Sequence, residues 1–209
     1  MIARWDRAVV EALQHLHWGP ADWCFEQLSE WWARSLVIIG VGLVADLMSR
    51  RRLPVAALSG TLCFLAADGI VLRLKDVFDR PRPSAVDPAV HPLVAVPHSF
   101  SMPSSHAATA FAAALAVGLV HSRLRWPLLV LAALVSLSRV WLGVHYPSDV
   151  LAGAAIGAAV AYAAWPLVSR AGGRASRGRA RIGASATAGR RARAAPGRRA
   201  RRARRRPRA

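Results

Sequence analysis

Residues 170–209 contain no Asp, no Glu and no Lys; they hold sixteen Arg and carry +16. The remainder, residues 1–169, is nearly balanced, with thirteen Lys/Arg against eleven Asp/Glu. The formal net charge of +18 therefore belongs to a tail and describes nothing of the body. That tail also has no aromatic residues between its arginines. Bases stack on aromatic rings in single-strand readers, so nothing beyond charge supports a nucleic-acid partner. A stretch of Arg, Ala and Gly with scattered Pro and Ser cannot bury a core, and residues 170–209 are expected to be disordered. Its simplest role is attraction to anionic lipid headgroups. Cysteine is scarce too. Cys24 and Cys63 form neither a disulfide framework nor a thiolate metal site, and two free thiols are expected. Asp6 and Glu11 interrupt the apolar residues of the N-terminus, so a cleaved signal peptide is not expected. No cluster of carboxylates suited to Mg²⁺ is present.

Apolar residues, by contrast, make up 54% of the chain. Five runs approach the length of a membrane-spanning helix, about 20 residues: Trp31–Met48, Leu53–Leu74, Ser105–Val120, Trp126–Val144 and Val150–Val168. Some are short or carry a charge (Arg34, Asp46, Asp68, Arg139), and the third alone could be a buried soluble helix. Together they predict an all-α integral-membrane bundle of about five to six spans. Gly153, Ala154, Gly157 and Ala158 in the last run suit close helix packing in lipid. Residues 1–30 differ. Val9, Val10, Leu13 and Leu16 fall near helical spacing among polar residues, with Trp5, Trp18, Trp23 and Trp32 in or beside them. This predicts an amphipathic helix at the membrane surface, a first true span being the alternative. The expected organisation is an interfacial segment 1–30, a membrane domain 31–169 and the tail 170–209. Arg50, Arg51 and Arg52, then Arg123 and Arg125, then the tail follow alternate spans. Basic loops stay in the cytoplasm, which sends the loop Asp79–Pro103 and the turn Gly143–Ser148 to the opposite face.

Three clusters put polar groups at the ends of apolar runs. Lys75 closes the second run, and Pro81 and Pro83 then force an extended path that lets Arg82 fold back toward it. Fixed cations there suit a phosphate, although an ordinary positive flank of a span would look similar. Pro103, Ser104, Ser105 and His106 open the third run, and a helix N-terminus is an anion site. Taken alone, it could equally be a capped helix with a surface His. Ser138 and Arg139, five residues, His145, three residues and Asp149 form the third cluster. A charge inside a span, as at Arg139, is costly and usually functional. Asp149 can accept the proton of one His145 nitrogen and leave the other as a nucleophile, unless the pair is a structural cap. The topology brings the end of span two, the start of span three and the end of span four to one face, so all three clusters meet there.

These motifs resemble the signature of the type 2 phosphatidic acid phosphatase family, related to vanadium haloperoxidases: Lys-x6-Arg-Pro, Pro-Ser-Gly-His and Ser-Arg-x5-His-x3-Asp. Lys75 to Pro83 and Ser138 to Asp149 match without gaps, and Ser105 stands where the family usually has Gly. The resemblance implies that His145 attacks phosphorus to form a phosphohistidine and that Asp149 orients it. His106 would protonate the leaving oxygen and then activate water. Lys75, Arg82 and Arg139, with Ser104 and the N–H groups near Ser105 and His106, would hold the phosphate oxygens, with no metal and no cofactor. The implied enzyme is a lipid phosphate or diphosphate phosphatase, undecaprenyl-diphosphatase-like, acting on a polyprenyl diphosphate or a phospholipid phosphate. Polyprenyl-phosphoryl-pentose phosphate is a rival substrate, and phosphotransfer to another acceptor a rival reaction. A degenerate, non-enzymatic site disagrees with the intact polar set, and a haloperoxidase with so short and apolar a chain. Oligomeric state is not encoded in these motifs.

Overall fold

The computed structural model describes residues 2–29, 31–49 and 53–194. All regular structure among them is helical: α1 (Ile2–Gln14), α2 (Gly19–Ser29), α3 (Trp31–Met48), α4 (Val55–Phe78), the short α5 (Pro83–Val86), α6 (Ser105–Val120), α7 (Arg125–Trp141) and α8 (Pro147–Ala194). Each of the five apolar runs is a helix. Val55–Val86, Ser122–Trp141 and Pro147–Arg170 are long and apolar enough to cross a membrane, and Val37–Met48 and Ser105–Val120 are shorter apolar helices.

The shortness of α6 goes with its central place. It is buried on every face from Ala107 to Gly118, as a helix apolar all round should be. Helices α3, α4, α7 and α8 all pack on it. On one side Val117 meets Ile38, Leu128 and Val135; on another Ala108, Ala112 and Ala116 meet Cys63, Ala67 and Val71. Alanine on α6 and glycine on α8 let the two backbones touch. A Cβ added at Gly153 or Gly157 would collide with the carbonyl oxygens of Ser104 or Ala108. Leu58, Leu62, Leu65, Val130, Leu134 and Leu151 are exposed on the outside, a surface suited to lipid.

At one end of the bundle Asp46 accepts hydrogen bonds from the first N–H groups of α4, Ala56 (2.7 Å) and Ala57 (3.2 Å), and lies 3.0 Å from His121 Nε2. It is thus an N-terminal cap supplied by a neighbouring helix, and this buried carboxylate has its donors within the bundle.

The two ends of the chain add detail to the sequence reading. Residues 2–29 form two helices, broken before Gly19. The apolar face of α1 turns partly onto protein, where Val9, Val10 and Leu13 pack with Val90, Val140, Tyr146 and Val150. Trp5, Trp18 and Trp23 remain exposed. The helix α8 is drawn on to Ala194, into the Arg-rich stretch. Expectations for residues 195–209, for Arg50, Arg51 and Arg52, and for the side chains of Trp32 and Arg34 fall outside what is described.

Candidate active site

The end of the bundle opposite Asp46 gathers the polar clusters. Helix α4 stops at a left-handed Asp79 (φ 45°), and the Arg-Pro-Arg-Pro run leaves in extended form. Lys75, on the last turn of α4, is buried and donates to the carbonyl of Phe100. Arg82 is buried too and donates to the same carbonyl at 3.4 Å, so the two cations do converge. Its guanidinium is held by the carbonyls of Ser99 (2.9 Å) and Val144 (2.8 Å). The same terminal nitrogen that donates to Val144, Nη1, lies 3.3 Å from Nε2 of His145.

That last contact sets the imidazole's tautomer. A guanidinium only donates, so Nε2 is the bare nitrogen and the proton sits on Nδ1. Burial, with Arg82 and Arg139 nearby, lowers the His145 pKa from 6.5 to about 3, which keeps the ring neutral. Nδ1 faces Asp149 Oδ2 at 3.6 Å, beyond hydrogen-bond length. The sequence suggested a closed His145–Asp149 bond; here Oδ2 instead accepts the backbone N–H of Tyr146 at 2.9 Å and Nδ1 has no hydrogen-bond partner. Catalytic hydrogen bonds are often long before substrate arrives. The turn that presents His145 needs Gly143 at φ 71°, a conformation glycine adopts freely.

Ser104 caps α6 in extended backbone, and its N–H donates to the Asp149 carbonyl at 3.0 Å. Its Oγ is buried without a partner, a donor held ready beside the free N–H groups of the helix start. Ser105 is the first residue of α6, and its carbonyl accepts Thr109 Oγ1 at 2.8 Å. His106 and Arg139 meet at Ser29: His106 Nε2 is 3.2 Å from the Ser29 carbonyl, and Arg139 donates to the Ser29 hydroxyl. The Arg139 carbonyl accepts the N–H groups of Val144 and His145, so the arginine also builds the turn. Among the described residues no group of three or more His, Cys, Asp or Glu is placed to hold a metal ion.

Three participants escaped sequence reasoning. Ser29 is one. The others are Asp6, from α1, and Arg80, which bridges Asp6 (2.7 Å) and Asp149 (2.6 Å). The only trace of Arg80 in the sequence was the doubled Arg-Pro at 80–83, and of Asp6 a carboxylate within an apolar stripe.

Helices α7 and α8 both lean on α6 and barely touch each other. An apolar cavity of about 310 Å³ opens between them under α1, with Phe111, Leu137, Val140, Val150 and Leu151 in its walls. The loop joining these two helices carries His145. The arrangement combines a neutral imidazole with a bare nitrogen, three buried cations, a donor-rich helix start and an apolar cleft. Its chemistry suits nucleophilic attack on a phosphorus attached to a hydrocarbon chain.

Comparison with known proteins agrees. The family model described as "PAP2 superfamily" matches residues 56–172. Decaprenylphosphoryl-5-phosphoribose phosphatase of Mycobacterium tuberculosis is 38% identical over 146 residues, 70% of this chain and 76% of that protein. Undecaprenyl-diphosphatase BcrC of Bacillus subtilis is 31% identical over 119 residues, 57% of this chain; the match spans 59% of that relative's length. Among solved structures, the PAP2 type phosphatidylglycerolphosphate phosphatase of Bacillus subtilis superposes with a TM-score of 0.64 at 24% identity, covering 81% of this chain and 87% of its own. Aquifex aeolicus LpxE gives 0.65 at 23%, covering 78% and 95%. At such identities the likeness shows the fold.

Proposed function

We propose that this chain, which belongs to the PAP2 superfamily, is a membrane lipid phosphatase that works through a phosphohistidine on His145. The observation that carries this is the bare Nε2 of a buried, neutral His145 beside Arg82. A phosphate inserted between them trades one cation–imidazole contact for a cation–phosphate contact and puts phosphorus within reach of the nitrogen. Nε2 attacks, the P–N bond forms, and the P–O bond to the leaving group breaks. His106 gives its proton to the departing oxygen. Water then attacks phosphorus, His106 takes a water proton, and the P–N bond breaks to release phosphate and free imidazole. Lys75, Arg82 and Arg139, with Ser104 Oγ and the N–H groups at Ser105 and His106, stabilise the equatorial oxygens.

A polyprenyl phosphate or diphosphate is the substrate class this reading favours. The apolar cleft between α7 and α8 suits its chain, and both relatives described above are named for polyprenyl substrates. Within that class the greater identity and coverage of the phosphoribose phosphatase favour a polyprenyl-phosphoryl-pentose phosphate over a diphosphate. The site faces outward from the cell. Arg123 and Arg125 stand at the other end of α7 from His145, and the tail leaves α8 at the end opposite Asp149, so basic residues in the cytoplasm put the site outside. The tail then lies against anionic headgroups.

The test is phosphate release by the purified full chain from polyprenyl diphosphate, polyprenyl-phosphoryl-pentose phosphate, phosphatidic acid and phosphatidylglycerol phosphate, with and without chelator. Release from a polyprenyl substrate, unchanged by chelator, is expected. Transfer of phosphate to a lipid acceptor with no free phosphate would convert the reading to a phosphotransferase.

A further inference from the structure

The residue-by-residue roles above leave one buried ion-pair chain unexplained. Asp6 on α1 is fully buried, and so is Asp149. A buried carboxylate is costly unless charge and hydrogen bonds compensate it. Among the described residues Asp6 finds them beside the turn that carries His145. Its Oδ2 accepts Arg80 (2.7 Å) and Ser148 Oγ (2.5 Å), and its Oδ1 accepts the Ser148 N–H (3.0 Å). The other terminal nitrogen of Arg80 donates to Asp149 Oδ1 and to Ser148 Oγ, both at 2.6 Å. The Arg80 guanidinium lies 4.1 Å over the Tyr146 ring, which fixes its plane. A helix that served only as a surface anchor would turn its carboxylate to water. This one turns it onto the residues flanking His145. Helix α1 also lies outside residues 56–172, the part matched by the family.

We infer that Asp6 and Arg80 are positioning residues for phosphoryl transfer, acting through Asp149, so that α1 completes the active site. This rests on the phosphatase reading above. The physics has two parts. Arg80 takes Oδ1 of Asp149 and the Tyr146 N–H takes Oδ2, so the carboxylate cannot rotate and Oδ2 stays turned to Nδ1 of His145. When Nε2 accepts the phosphoryl group the imidazole ring becomes positive, and the carboxylate behind it stabilises that charge. Arg80 on its own would cancel the carboxylate. Asp6 restores a net negative charge to the trio, at the cost of burying a second acid. Neither residue touches phosphorus, so each should affect the chemical step more than substrate binding.

The experiment uses the full chain in lipid vesicles, with kcat, KM and the rate of phosphoenzyme formation, trapped by an alkaline denaturing quench that preserves the P–N bond, measured on the same polyprenyl substrate. Asp6→Asn keeps the shape and removes the charge. It should lower kcat and phosphoenzyme formation together by about tenfold, the usual cost of losing an orienting partner, while KM moves by less than about twofold. Asp6→Glu restores the charge and should recover much of the loss. Arg80→Lys keeps a cation but loses the two-sided fork and should reproduce the kcat defect; it serves as the readout should Asp6→Asn not reach the membrane folded. Unchanged kcat in Asp6→Asn or in Arg80→Lys, a defect in KM alone, or a Glu variant no better than the Asn one would overturn the inference. Absence of phosphate release by the unsubstituted chain would instead sink the phosphatase reading, and this inference with it.

Discussion

The two ends of the bundle bury polar groups in opposite ways. At one end Asp46 is surrounded by donors: the N–H groups of Ala56 and Ala57, and His121. At the other, Lys75, Arg82 and Arg139 are crowded together, while Ser104 Oγ and His145 Nδ1 have no hydrogen-bond partner. Buried polar atoms are nearly always satisfied, so the first end is built to hold helices together. The second is built with donors and positive charge in excess. Like charges packed in a low dielectric are unfavourable until an anion arrives, and that stored cost becomes binding energy for phosphate. At the site end, the two side-chain atoms left without a partner, Ser104 Oγ and His145 Nδ1, both belong to residues assigned to the phosphoryl group.

Substitutions at the two ends should separate these roles. The largest effect is expected at the site end. His145→Ala should cut phosphate release by more than about a thousandfold, as loss of a covalent nucleophile does, with no phosphoenzyme trapped and the protein still extracted folded from membranes. Activity near that of the unsubstituted chain would remove His145 from its role. Ser104→Ala comes next. Loss of one donor to a charged transition state costs roughly a hundredfold in kcat, yet here the hydroxyl has no partner, so the unfolding temperature should hardly move. A clear loss of stability with normal turnover would mean that Ser104 serves the fold. Asp46→Asn should do the reverse of Ser104→Ala. Weakening a charged cap shared by several donors should cost about 2 kcal/mol in stability and leave kcat alone. A fall in kcat at unchanged stability would break the division between the ends.

Much of this contrast could be read in the sequence, for a simple reason. Apolar runs and helix-ending prolines act locally, so the five runs became α3, α4, α6, α7 and α8, and the ends of those helices fixed where Lys75, Ser104 and His145 would lie. What stayed hidden depends on contacts between distant parts of the chain. Arg80 and Asp6 are 74 residues apart, and a carboxylate on an amphipathic helix looks the same whether it faces water or an active site. Ser29 lies 110 residues from Arg139 and carries no local signal at all. The pairing of His145 with Asp149 was legible from spacing, but neither its 3.6 Å separation nor the Tyr146 N–H on the same oxygen was.

The smallest expected effect concerns pH, and it tests whether the site end is as positive as the comparison requires. His145 is held neutral by burial first and by Arg82 and Arg139 after it, with its pKa lowered to about 3 from an ordinary 6.5. The unfolded chain then binds the proton that the folded chain refuses. Stability contributed by this group is complete above the ordinary value and falls as pH drops from about 6.5 toward the folded value. Between pH 7 and 5 the loss should be on the order of 1–2 kcal/mol. His145→Gln removes the titrating group while leaving a polar side chain of similar reach. Its thermal midpoint should therefore fall less between pH 7 and 5 than that of the unsubstituted chain. Equal falls would mean that His145 takes up its proton while folded, and that the cations around it are better screened than their burial implies.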